Sequence, residues 1–437
     1  MHPKYLLKAM KHIILLLFAI FNTFLTFGQI IATGNYKLYN NYSGVDYVIV
    51  FNGIDSNTSL SYTGAYESSV SWYKFSNLST PITTQEYNNN VEDMTGYLLV
   101  IDGDTKISVW VIDYQNYLPD FRALNVENNP AEQCSEVNLF LQADIWPMEY
   151  QSFNKTTNMP SIMYPLERFF NVSYDNIEWA GDDWKPKEEK IEIYLPQEYI
   201  TVSAPLVETH FTISGDQFAS DLGFNTLPSI QSELYTPVAV ECHILALTAT
   251  REQLNEGDRP SSTDVKEASS PIEITFEAKA NDPIARYFNW QITRDDVQIV
   301  SRADRNHSYT FKDAGIYKVV LTANNQYCSS SDSILVRVNS SNLQVPYAFS
   351  PNGDGKNDEF RVAYTSLTDF KCWIFSRWGK QIYYWTDPQK GWDGTINGTP
   401  AKPGGYIYII EATGADIDEY TKKPVRYRKK GIINLLR

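Results

Sequence analysis

Histidine and cysteine are scarce in this chain, at five and four among 437 residues. His2 and His12 fall in the first 28 residues, which leaves His210, His243 and His307. None stands in a His-x-x-x-His or Cys-x-x-Cys pattern, so the ligand spacing of a zinc site is absent. Also missing are the Gly-x-Ser-x-Gly elbow, the Walker phosphate loop, and Gly-x-Gly-x-x-Gly ahead of a helix. The acid pairs Asp182/Asp183 and Glu188/Glu189 are adjacent in sequence, and adjacency does not set two carboxylates across a cleft. No catalytic residue, metal ligand or cofactor is therefore assigned, and the chain reads as non-enzymatic. Basic residues are outnumbered 37 to 52, for a formal net charge of −15. That balance argues against nucleic acid as a partner.

Long apolar runs are as rare: only Ile13–Phe27 qualifies, preceded by Lys4, Lys8 and Lys11 and followed by Gly28. It is short for a membrane span and has the charge and length of a signal peptide, so residues 1–28 are expected to be cleaved near Gly28–Gln29. The rest is aromatic-rich, with Tyr 30, Phe 21 and Trp 10 and charged residues at 20%. Alternating runs broken by Gly, Asn and Asp turns recur throughout, which predicts an all-β chain of tandem β-sandwich, immunoglobulin-like domains. The length calls for several cores. The expected units are 29–128, 129–250, 264–340 and 345–437, with Arg251–Ser270 as a linker.

In an exported protein four cysteines allow three full pairings. Cys134 precedes the run Val137–Leu141 and Cys242 begins one ending near Leu247, so a Cys134–Cys242 bridge stapling the ends of the second unit is expected. Cys372, inside a strand pattern, reads as a buried free thiol. Cys242 and His243, adjacent on a strand, should face opposite ways. The second unit also holds Trp179-Ala-Gly-Asp-Asp-Trp184 with Trp146 upstream. Trp146, Trp179 and Trp184 beside carboxylates would suit a glycan, whose faces stack on rings. The same residues equally suit a Gly-Asp-Asp turn with tryptophans packed on the sheet.

Two stretches carry family resemblances. Phe288-Asn-Trp290 and Tyr309-Thr-Phe-Lys-Asp-Ala-Gly-Ile-Tyr-Lys-Val319 resemble a PKD-type immunoglobulin-like repeat, with Thr293-Arg-Asp-Asp296 where that repeat has a Gly-Asp-Gly turn. Such repeats imply spacer or adhesive modules. The C-terminal string Val345-Pro-Tyr-Ala-Phe-Ser-Pro-Asn-Gly-Asp-Gly-Lys-Asn-Asp358 is followed by Phe375-Ser-Arg-Trp-Gly379, Gly391-Trp-Asp-Gly-Thr395 and Pro403-Gly-Gly-Tyr406. Together these resemble the gliding motility-associated C-terminal domain, the type B sorting domain of the type IX secretion system. Its motif falls here on Pro351, Asn352, Gly353, Asp354, Gly355, Asn357, Asp358, Arg377, Trp378, Gly379, Trp392, Asp393, Gly394, Gly398, Gly405, Tyr406, Gly431 and Arg437.

The resemblance implies an export address, with the secretion machinery of a Gram-negative outer membrane as partner. The protein would then be secreted or held at the cell surface. The remaining domains are expected to be adhesive or structural, with surface glycans or cell-surface proteins as partners. The alternative is a glycan-binding or glycan-active site within 129–250. The loop Asn352–Asp358 invites a calcium reading, but Lys356 stands where an oxygen ligand is needed, and turn chemistry accounts for the same residues. The tail Thr421–Arg437 has seven cations and no acid; it could dock on an acidic partner, or be a lysine-blunted edge strand.

Overall fold

The computed structural model describes residues 29–64, 68–251, 253–260, 267–418 and 420–437. The expected signal peptide lies outside them. Four β-sandwiches follow one another along the chain.

In the first, a three-stranded sheet (Gln29–Thr33, Ser59–Thr63, Tyr87–Asn88) covers one face of a five-stranded sheet. The larger sheet runs Tyr36–Tyr39, Tyr47–Phe51, Thr105–Asp113, Thr95–Ile101, Val70–Lys74. Its second strand Tyr-Val-Ile-Val-Phe51 is apolar throughout rather than alternating, because both its faces are buried. Ile49 and Phe51 pack inward with Leu60, Trp72, Tyr97 and Val111. Val48 and Val50 face the other way, toward the second sandwich.

The second sandwich sets Tyr199–Ser203, Glu136–Asp144 and Asp120–Val126 against Trp184–Leu195, Arg168–Trp179, Thr212–Gly215 and Ser229–Gln231. Two insertions leave its end: the hairpin Met148–Asn154/Met159–Leu166 and the short helix Gln217–Asp221. Met148, Tyr150, Phe153, Leu166 and Phe218 from these insertions share one buried core with Val48, Val50, Leu98, Trp110 and Ile112 of the first sandwich.

The third sandwich corrects two expectations. Cys242–Thr248 pairs with Ile272–Ala280, not with any strand of the second unit. At the other end, Asp120–Val126 pairs with Glu136–Asp144 rather than with the first unit. Cys242 is therefore a buried free thiol of the third sandwich, and Cys134 is bonded to Cys328, with Cα atoms 5.4 Å apart. The bridge joins two domains instead of stapling one. Its other sheet runs Glu267–Ser269, Ser329–Asn339, Gly315–Asn324, Tyr287–Arg294, Val297–Arg302. Trp290 is fully buried between the sheets, and Tyr317 Oη donates to the Asp313 carbonyl at 2.8 Å, a tyrosine corner. Asp295 and Asp296 both have positive φ, 49° and 61°, and close a two-residue hairpin where the repeat it resembles has glycine.

The fourth sandwich centres on Ala348–Phe349, Pro424–Leu435, Gly404–Ile417, Leu367–Phe375 and Gln381–Trp385, in that order across the sheet. It begins ahead of Val345: Asn342–Gln344 pairs with Ala363–Thr365, and Leu343 is in the core. The expected linker is partly a strap. Arg251 grips Glu256, Ser269 Oγ and the Pro271 carbonyl. Glu256 and Gly257 then bridge to Tyr364 of the fourth sandwich, with Gly257 N 2.7 Å from the Tyr364 carbonyl.

Candidate functional sites: the C-terminal domain and an interdomain cleft

The motif residues of the C-terminal sandwich serve mainly to close its turns. Asp358 accepts from the backbone amides of Gly353 and Gly355 at 2.7 and 2.8 Å. Asp354 accepts from Lys356 N at 2.8 Å and from Asn352 Nδ2 at 3.0 Å. The Lys356 amide, then Asn352, holds the Asp354 carboxyl below the usual carboxylate range. These carboxylates are thus engaged in turn chemistry. Asn357 O accepts from Ser350 N and ties the loop to the end of Ala348–Phe349.

Three separated motif segments converge at one end. Trp392 is fully buried and donates through Nε1 to the Thr395 carbonyl at 2.7 Å. Asp393 caps that turn by accepting from Thr395 N and Oγ1. Gly394, at φ +74°, sits where a Cβ would come within 3.0 Å of Leu435 and 3.1 Å of Pro351. Arg437 Nη2 reaches the Gly394 carbonyl at 3.3 Å. Tyr406 Oη donates to the Lys402 carbonyl at 2.7 Å, a second tyrosine corner. Gly431 leaves room for the Tyr408 ring, and Gly405 packs against Ile432. Gly398, at φ +78°, turns the Thr395–Pro400 hairpin. Arg377, Trp378 and Gly379 stand apart, at a hairpin tip where Trp378 is 86% exposed.

The proposed glycan residues do not form one platform. Trp146 is exposed and its carbonyl accepts from Arg168 Nη1 at the start of the strand Arg168–Trp179. Trp179 ends that strand, roughly 35 Å away at 3.3 Å per residue. Trp179 and Trp184 pair across the hairpin and meet edge to face at 5.5 Å. His243 of the third sandwich stacks on Trp179 at 4.8 Å with rings 9° from parallel. Cys242 points into the core and His243 outward, as alternation on a strand requires.

Around this stack lies an interdomain cleft of about 660 Å³, lined by Trp179, Asn176, Ser330 and the Cys134 end of the disulfide. Its acids already have side-chain partners. Lys187 lies 2.9 Å from Glu189 and 3.6 Å from Glu178, and Glu189 first, then Glu178, raises the lysine above its ordinary value. Glu241 Oε1 is 2.9 Å from His243 Nε2.

Two features had no sequence signal in either partner's neighbourhood. At the first junction, the buried Arg168–Asp216 ion pair takes a hydrogen bond from Tyr114 Oη at 2.7 Å. At the second, Asn281 Nδ2 donates to the carbonyls of Leu206 and Ala239 at 3.1 and 2.9 Å. Each joins residues far apart in sequence.

Residues 343–435 match the CHU_C type IX secretion signal domain, and residues 125–232 match the fibronectin type III domain. The chain thus carries a type IX sorting domain and a fibronectin type III, immunoglobulin-like sandwich. No curated protein matches it. Among solved structures it is similar to three N-terminal domains of the highly immunogenic outer capsid protein of bacteriophage RB49. Identity there is 11%, over 73% of this chain and 98% of that one, with a TM-score of 0.19. Similar too are the FN1–FN3 domains of chicken CNTN1, at 12% identity, 73% and 99% coverage and a TM-score of 0.22. Among the described residues no helix is long and apolar enough to cross a membrane.

Proposed function

We propose that this protein is exported across the outer membrane of a Gram-negative cell by the type IX machinery, which recognises its C-terminal sandwich. There it serves as a secreted or surface-held, non-enzymatic string of sandwiches with a structural or adhesive role. The observation that carries this reading is the sorting-domain match over residues 343–435, whose motif segments converge in one folded end. The sandwiches ahead of it support a structural role, since their insertions and loops are spent on joining neighbours. The PKD-like resemblance of Pro271–Val338 points the same way, to a spacer. The test is truncation after Asn339: the shortened chain should stay in the periplasm while the full chain reaches the surface or medium. Surface display of the shortened chain would overturn it.

A second reading is favoured by the cleft, whose volume and Trp179 wall suit a saccharide. Weighing against it, His243 covers a face of Trp179 and the lining acids are already paired. Glycan-array binding by residues 29–339 that vanishes in Trp179→Ala, with the fold intact, would restore it.

A further inference from the structure

The closing strand Pro424–Leu435 pairs along its length with Gly404–Ile417 on one edge only. On the other edge Ala348–Phe349 pairs in parallel, opposite Asn434–Leu435, and among the described residues no strand covers the rest. The direction of the uncovered groups follows from the bonds that are made. Asn434 N donates to Tyr347 O at 3.0 Å and Leu436 N to Phe349 O at 2.9 Å, so even-numbered residues aim their backbone at this edge. The ladder to Gly404–Ile417 is regular from Arg426↔Thr413 to Leu435↔Gly404. Arg426, Arg428, Lys430 and Ile432 therefore present amides and carbonyls outward there, and their side chains are all exposed.

Charge on an open edge ordinarily blunts aggregation, lysine above all, and the same charge can also select a partner. In a chain of net charge −15, this edge and its flanks carry Lys422, Lys423, Arg426, Arg428, Lys429 and Lys430 with no acid between them. Such an edge repels a second copy of itself and complements an acidic extended segment. We propose that the uncovered edge of Arg426–Ile432 is the docking surface of the sorting domain. Its occupant is an acidic extended segment of the export machinery, which adds as a further strand and continues the line begun by Ala348–Phe349. This inference rests on the export reading above.

The test uses the full-length chain in cells carrying the type IX machinery. Lys430→Pro removes an outward N–H and leaves the inward ladder intact. Arg426→Glu with Lys430→Glu cancels the four cations of Arg426–Ile432 without touching the backbone. Truncation after Asn339 reports on the export reading itself. The inference expects each edge variant to melt close to the unmodified protein and to be exported about tenfold less, the loss of roughly one well-made pairing. Should Lys430→Pro fail to fold, the charge-neutralised variant decides alone. If truncation blocks export while the folded edge variants leave as the unmodified chain does, the edge inference is overturned and the export reading stands. If the truncated chain is exported, both fall.

Discussion

The third and fourth sandwiches are built alike and presented differently. Each buries one tryptophan completely, Trp290 and Trp392, and hydrogen-bonds its indole to a carbonyl. Each closes a strand with a tyrosine corner over four residues, Tyr317 to Asp313 and Tyr406 to Lys402. The third is wedged between neighbours, bound to the second by Cys134–Cys328 and to the fourth by the strap at Glu256. The fourth carries a cationic edge that, among the described residues, no strand covers beyond Ala348–Phe349. The same interior thus serves a sandwich held between neighbours and one that matches a sorting domain, and the difference lies in which edges and turns are left free.

The largest effects should come from the two tryptophans. Trp290→Ala and Trp392→Ala should each cost about 3–5 kcal/mol by leaving a cavity, read as a lowered transition in calorimetry of the full chain. Only Trp392→Ala should also abolish export, and equal loss in both would erase the functional contrast. Next, Cys134→Ser with Cys328→Ser should lower stability by about 2–4 kcal/mol. The loss should appear in the transition of the third sandwich, with that of the fourth unmoved. Smaller still, Tyr317→Phe and Tyr406→Phe should each cost about 1 kcal/mol, the net worth of one hydrogen bond. Unequal costs in urea unfolding would show that the two corners are not equivalent.

The smallest effect concerns the strap. Burial first, then Glu256, pushes the Tyr364 hydroxyl up to about 12. Its folded value lies above its unfolded one, so its contribution is fully present below pH 10 and is lost as pH rises through about 12. Protection of the 253–257 backbone against hydrogen exchange, after correction for the intrinsic rate, should fall across that window, and less so in Tyr364→Phe.

The sequence revealed the parts whose signal is local. The turns of Asn352–Asp358 and Gly391–Thr395 were legible because Asx hydrogen bonds and positive φ select Asn, Asp and Gly. The all-β architecture was legible from alternation. Domain edges were not, because a strand such as Cys242–Thr248 reads alike whichever sheet it joins. That ambiguity carried the disulfide with it: once Cys242 belongs to the third sandwich, Cys134 meets Cys328 across the junction instead. Trp146 and Trp179 were close enough in sequence to suggest one platform, and a 12-residue strand separates them in space. The joint core of the first two sandwiches left one trace, the unbroken apolar run Tyr47–Phe51, whose two-sided burial explains it.

If the fourth sandwich is a self-contained export address, it should carry an unrelated protein out of the cell. The direct measurement fuses a signal peptide and a fluorescent reporter to Ser341–Arg437, which includes the buried Leu343 and the Ser341–Tyr427 hydrogen bond. In cells carrying the type IX machinery the reporter should appear at the surface or in the medium, and not when the fused segment is instead residues 238–340. A folded fusion held in the periplasm would contradict it.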